Sequence, residues 1–462
     1  MTKRIAIVGG GIAGVTAAWQ LAHLAGAGAN VNAQLFESSD RLGGIVETVH
    51  DHGFTIECGP DAWVTEKPWA RHLVEELGLA HDLLPSNDAT RKTHILLDGR
   101  LDTMPDGMRM MVPANLESLD RSSLFSTSAK QSYRAELARA EELKASAPLQ
   151  DESVASFTRR HFGEEVLTRI AAPLLSGVLG ENVEHLSVQA VMPRFVAMER
   201  EHGSLIAALQ AQPSPGSASI FTTLRSGLGI LVDRLVAAVP PCWLHLNAEV
   251  TAISRSARQW RIHTAKGRED QVFDAVFLAT PPHISRKLLR PLDPEAAELL
   301  RMGASSAVVV AMGYLDAPGI QLPPGFGFLV PPSPDRHLLA CTFVDQKFNG
   351  RVPPGGRLLR AFFGAQAAET LLDAPDNDLS ALAQAELTRI LGPLPQPDIN
   401  LVRRWPHSLP QYAVGHLTRM AALDRCVAAL PGLTLLGNGY RGVGLPDLIR
   451  DSRAAAHKVL QA

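Results

Sequence analysis

The sequence predicts an α/β plus α+β protein with a Rossmann-like nucleotide-binding unit, a mixed-sheet unit and a helical region. Three observations carry this. A short apolar strand runs into a glycine cluster and a helix near the N-terminus. The stretch Tyr133 to Ala147 is rich in Ala, Glu, Arg and Leu. Strand-like segments separated by Pro-rich loops follow in the second half.

The first element is the strand Arg4-Ile5-Ala6-Ile7-Val8. Gly9-Gly10-Gly11-Ile12-Ala13-Gly14 follows and matches G-x-G-x-x-G. A helical pattern from Val15 to Leu24 leads to a second strand, Ala33 to Phe36, ending on Glu37. Gly9 permits the tight turn, Gly11 lets backbone approach a pyrophosphate, and Gly14 allows close helix–strand packing. The helix N-terminus offers free N–H groups to phosphate. Glu37, 23 residues after Gly14, is placed to accept both ribose hydroxyls. The fingerprint alone does not separate one dinucleotide from another. Arg41-Leu42-Gly43-Gly44 and Glu57-Cys58-Gly59-Pro60 supply further loops beside the nucleotide, with Arg41 adding charge near the pyrophosphate.

Residues 86–220 read as mostly helical, ending in the loop Gln212 to Ser217. Short strands are expected over Trp243 to Leu246, Trp260 to Thr264 and Val272 to Ala279. Residues 286–400 mix helices with strands at Ala307 to Tyr314, Leu338 to Val344 and Arg357 to Phe363. Residues 401–462 read as a strand, a glycine-rich turn and a terminal helix starting near Asp447, taken as its N-cap.

Composition bounds the function. The chain has 462 residues, 46% hydrophobic and 20% charged, which excludes a largely disordered protein. With 44 Lys+Arg against 47 Asp+Glu, no broad basic footprint for nucleic acid exists. Cys58, Cys242, Cys341 and Cys426 lack metal-ligand spacing, so no metal site is expected, and a reducing, intracellular setting is. No signal peptide is read at Thr2-Lys3-Arg4. The best apolar run, Met302 to Leu315, has 14 residues, short of the roughly 20 that span a bilayer.

Glu37-Ser38-Ser39-Asp40-Arg41-Leu42-Gly43-Gly44 resembles the extended FAD fingerprint of the flavin amine oxidase superfamily. Gly59-Pro60-Asp61-Ala62-Trp63, ahead of Lys67-Pro68, looks like the second FAD loop of its protoporphyrinogen oxidases. Leu409 to His416 and the closing stretch Leu436 to Asp447 are similar to further motifs of those enzymes. The resemblance implies a discontinuous FAD-binding domain (1–85, 221–285 and 401–462). It also implies a helical cap or membrane-facing domain (86–220) and a substrate-binding domain (286–400).

It further implies non-covalent FAD at Gly9, Gly11, Ile12, Ala13, Gly14, Glu37, Ser38, Arg41, Gly44, Ile45, Gly59, Pro60, Asp61 and Ala62. Val250 holds the adenine end, Thr280 approaches the flavin, and Asn438, Val443, Gly444 and Leu445 close the site. No Cys or His stands beside the closing glycines as an attachment point. The implied reaction is oxidation of protoporphyrinogen IX to protoporphyrin IX in haem biosynthesis, with dioxygen as acceptor. Coproporphyrinogen III is the alternative substrate.

Phe326 and Leu329 match the family's substrate cleft, with Gly327 leaving room at the flavin. Arg91 or Lys92 is the candidate propionate clamp, in a shifted register, and a solvated basic pair is the alternative. No catalytic side chain is nominated, because the hydride passes to the flavin. Met104, Met108, Met110, Met111 and Val112 read as core packing, a tunnel wall or an interfacial patch. The family implies a cytoplasmic enzyme, with peripheral contact to the membrane and hand-over to the next haem-pathway enzyme as open alternatives. The sequence sets no oligomeric state.

Two other readings compete. One is an amine oxidase or desaturase, in which Trp405, Tyr412 and Tyr440 form an aromatic cage. The other is a non-catalytic ligand carrier on the same fold, similar to the GDP dissociation inhibitors.

Overall fold

The computed structural model describes residues 2–461 except 180–181, 213–218, 258, 266 and 334–335. The expected loop at 212–217 therefore lies almost wholly outside the described residues.

A five-stranded parallel sheet organises the nucleotide-binding unit. Its strands are β1 (Lys3–Val8), β2 (Val31–Phe36), β3 (Leu244–His245), β4 (Ala275–Leu278) and β5 (Leu433–Leu435), in the order β3-β2-β1-β4-β5. The near-continuous apolar runs follow from burial on both faces. Ile5, Ile7, Leu35 and Phe277 face one core, and Ala6, Val8, Phe36 and Leu278 face the other. The first core is completed by α1 (Ile12–Gly26) and the terminal helix α2 (Leu445–Gln461). Small residues on α1, Ala13, Ala17 and Ala18, let it lie close to the sheet.

A seven-stranded mixed sheet forms the second unit. In spatial order its strands are Ile399–Pro410, Ala304–Tyr314, Arg357–Gly364, Leu338–Phe343, Gly327–Leu329, Thr93–Leu97 and Arg100–Thr103. This corrects the expected boundaries. Thr93–Leu97 and Arg100–Thr103 leave the helical region and pair with the sheet through Phe328↔His94. Ile399–Pro410 pairs with Ala304–Tyr314 instead of joining the nucleotide-binding sheet. The helices Pro282–Leu289 and Pro294–Leu299 pack on the nucleotide-binding side, through Leu288, Leu289, Ala296 and Leu300. The helix His416–Ala428 was not anticipated, although Met420, Leu423 and Val427 recur at helical spacing.

The helical region has its own core, built from side chains such as Tyr133, Phe157, Phe162 and Leu205. Met111 and Val112 are fully buried in it, and Met104, Met108 and Met110 pack against it, so all five belong to core packing. No helix among the described residues is long and apolar enough to cross a membrane.

One charged cluster sits inside this core. The buried His161 ring bonds Glu136 through Nδ1 at 3.1 Å and Glu199 through Nε2 at 3.3 Å. Ser204 Oγ and Leu205 N also donate to Glu136, each at 2.6 Å, and Arg160 bridges Glu199 and Glu152. Burial pulls the imidazolium towards neutrality, but the two carboxylates outweigh it and raise the His161 pKa above 6.5. The stabilisation from a raised pKa is complete below the unfolded value and lost as pH rises through the folded one. Glu199 is desolvated, yet His161 and Arg160 hold its pKa below 4.5, so its share is lost on acidification. The helical region is expected to lose stability as pH climbs above 6.5. Amide exchange across that range checks this. In His161→Gln the alkaline step should vanish, and a step that persists places its origin elsewhere.

Candidate functional site

The first turn after β1 is shaped by glycine. Gly9 has φ +105°, which L side chains rarely adopt. A Cβ on Gly14 would lie 1.9 Å from the Gly9 carbonyl oxygen, so α1 sits against the strand only without one. Gly11 differs: a Cβ there would meet no atom within 4 Å, because it points into open space. Gly11 caps α1 in extended conformation, no side chain caps the helix, and its first turn carries no acid. The free N–H groups of that turn suit an anion.

Beside this turn, Gly43 N donates to Gly10 O at 2.8 Å, which holds the second glycine loop against the first. A cavity of about 580 Å³ opens between them. Gly9, Gly11, Ile12, Ala13, Gly44 and Ile45 line it along the glycine loops. Glu37, Ser38 and Val250 line one end, and Thr280 and Asn438 line it further along. Glu37 accepts from Gly10 N at 2.6 Å and Ser39 N at 2.8 Å. Its carboxylate is thereby fixed at the end of β2, where the fingerprint places a ribose.

Sequence reasoning did not assign Trp405, Ser408 or Lys287 to this cavity, and all three line it. Trp405 was visible only as a member of an aromatic cage. Tyr412 and Tyr440 do not complete one: they are 5% and 4% exposed. Their hydroxyls are occupied by the closing turn and by Ser285. No cysteine or histidine is among the residues lining the cavity. Among the described residues no group of His, Cys, Asp and Glu has the makings of a metal site.

The remaining expected residues are not among those lining the cavity. Arg41 bonds the Gly44 and Leu42 carbonyls and pairs with Glu47 at 3.6 Å. Gly59 abuts Ile45, where a Cβ would lie 2.0 Å from its carbonyl oxygen, and Arg360 donates to Gly59 O at 2.5 Å. Pro60 and Ala62 are not among the lining residues. Asp61 is held by Lys347 at 2.8 Å and Arg360 at 3.4 Å; these cations outweigh its burial and depress its pKa. Val443 packs against the helical core, Gly444 O accepts from Asp447 N at 2.9 Å, and Leu445, the first residue of α2, is buried in the core under the parallel sheet. Asp447 is the third residue of α2, not its N-cap; it receives Lys67 Nζ at 2.5 Å.

On the second unit, Phe326 is buried and Leu329 packs against the helical core. Gly327 has φ +137°, and a Cβ would fall 1.9 Å from Cys341 O. Its smallness therefore serves the neighbouring strand. Arg91 and Lys92 are exposed. Arg91 pairs with Asp88 at 3.4 Å, and the Lys92 carbonyl accepts from Phe326 N at 2.8 Å.

Residues 12–460 match the family described as flavin containing amine oxidoreductase. The chain belongs to that family. It is 32% identical to a coproporphyrinogen III oxidase of Bacillus subtilis, over 99% of this chain and 98% of the relative. It is 30% identical to the human protoporphyrinogen oxidase, over 100% and 99%. A solved structure from Exiguobacterium, provisionally named a protoporphyrinogen oxidase, superimposes with a TM-score of 0.87 at 30% identity, covering 100% of this chain and 99% of that one. As a member of the flavin family the protein is an oxidoreductase, and its cofactor is FAD. The cavity fits that cofactor. The open side of Gly11 and the uncapped α1 suit a pyrophosphate, and the carboxylate at Glu37 suits a ribose.

Proposed function

We propose that this protein oxidises a porphyrinogen to a porphyrin with FAD, using dioxygen to renew the oxidised cofactor. One observation carries the reading: similarity to porphyrinogen oxidases extends over nearly the full length of both chains, so it includes the substrate sheet and helical region. Coproporphyrinogen III, the substrate named by the 32% identical relative, is the first to test; protoporphyrinogen IX is the second.

In this reading Gly9, Gly11, Ile12, Ala13 and the α1 N-terminus hold the pyrophosphate, and Glu37 and Ser38 hold the ribose. Val250 borders the adenine, and Gly44, Ile45, Thr280 and Asn438 border the flavin. The cavity positions of all these residues support the assignment. Gly14, Arg41, Gly59, Pro60, Asp61, Ala62, Val443, Gly444 and Leu445, which do not line the cavity, belong to the glycine loops, the second loop and the closing turn that border it. FAD supplies a two-electron hydride acceptor, and full aromatisation removes six electrons, so three rounds are needed. Phe326 and Leu329 present apolar surface to the macrocycle, and Arg91 and Lys92 are the cations offered to its propionates. The absence of histidine and cysteine from the cavity wall supports non-covalent attachment.

Purified holoprotein is assayed under air with the two porphyrinogens in parallel, following porphyrin fluorescence and hydrogen peroxide. Porphyrin formation from one or both is expected. Absence of enzymatic porphyrin formation from both sinks the reading.

A further inference from the structure

We propose that Tyr412 is a positioning residue for FAD: its hydroxyl clamps the two arms of the closing turn and so sets how that turn meets the cofactor. This rests on the FAD placement proposed above. The Tyr412 hydroxyl donates to Asn438 O at 2.7 Å and accepts from Gly442 N at 3.0 Å. One oxygen thus spans the turn. The Asn438 arm lines the cavity, and the side chain of Asn438 donates to Ser408 O at 2.8 Å. The Gly442 arm continues into Val443, which leans on the helical core.

Other contacts hold single points of the turn, Tyr440 by His416 and Ser285 and Arg441 by Asp424, whereas the Tyr412 hydroxyl bridges both arms. Gly437 and Gly442 have φ values of +125° and +146°, so the turn is built from residues with the fewest conformational restraints. Tyr412 itself is immobilised. Its ring stacks on His416 with centroids 3.8 Å apart and planes at 11°. His416 Nε2 donates to Tyr440 O at 3.0 Å, and Ser187 N donates to Tyr412 O at 2.8 Å. Burial raises the phenol's pKa, which keeps the proton donated to Asn438 in place.

The chemistry that follows is electrostatic. Backbone N–H groups held towards a reduced flavin stabilise its negative charge only while their orientation is fixed. Releasing Gly442 N and Asn438 O together lets the arms drift and lowers that stabilisation.

The test uses holoenzyme and the variant Tyr412→Phe, which keeps the stacked ring. FAD affinity is expected to fall about tenfold, the cost of re-ordering the released arms when the cofactor binds. The midpoint potential of the bound flavin should shift to a more negative value. His416→Gln, which removes the stacked ring, should shift both quantities in the same direction by less. Affinity and potential equal to wild type in both variants would overturn the proposal. So would a fall in thermal stability at saturating FAD with both quantities unchanged, since that describes a structural role. A wild-type protein that holds no FAD overturns the cofactor placement itself.

Discussion

Gly11→Val should yield a folded, colourless protein. Gly11 has an ordinary negative φ and its added Cβ meets no protein atom, so the apoprotein tolerates a side chain there. The isopropyl group instead occupies the space in which the pyrophosphate would lie. Overpacking of this kind costs up to about 3 kcal/mol, so FAD affinity should fall by up to about 100-fold. Flavin absorbance per protein after gel filtration reads the loss, and circular dichroism verifies the fold. Gly14→Val is the contrasting case: its Cβ would strike the Gly9 carbonyl at 1.9 Å, so folding itself should fail. Stoichiometric flavin in Gly11→Val would show that the cofactor lies elsewhere.

The second large effect is expected at a buried ion pair. Arg351 is 1% exposed and pairs with Glu57 at 2.9 Å, while also donating to Thr223 Oγ1 and Leu224 O. Arg351→Met leaves the Glu57 carboxylate buried with only Thr48 Oγ1 and Leu228 N as partners. Breaking one half of a buried pair costs about 3–5 kcal/mol. Chemical denaturation of the holoprotein should show that loss. The double variant Glu57→Gln, Arg351→Met should recover much of it, because the stranded charge is gone. A single variant within about 1 kcal/mol of wild type would contradict the argument.

These two sites differ in how readable they were. The Gly9–Gly14 turn is local: strand, glycines, helix and acid follow one another in the chain, and each glycine has a separate steric reason. The Glu57–Arg351 pair spans 294 residues, and the Asp61–Lys347 pair spans 286. No spacing rule links such partners, so the network joining the second glycine loop to the mixed sheet was invisible. Sheet membership failed for the same reason. Ile95–Leu97 reads as a strand, but its partner, Gly327–Leu329, lies more than 200 residues away, and nothing local says which sheet receives it. The close approach of Gly327 to Cys341 O was equally unreadable, because a glycine's meaning depends on what faces it. Tyr412 was noticed as an aromatic ring, whereas the structure uses its hydroxyl.

The parallel sheet also constrains the order in which the molecule can be assembled. Its central strand β1 is translated long before its neighbour β4 and the edge strand β5, which lie far downstream in the chain. Pairing this distant carries a large loop-closure entropy and is intrinsically slow. Until β5 and α2 emerge, one face of β1 and the apolar stripe of α1 remain uncovered. The nascent chain therefore carries a half-built core until β5 and α2 arrive, and the flavin pocket closes only then.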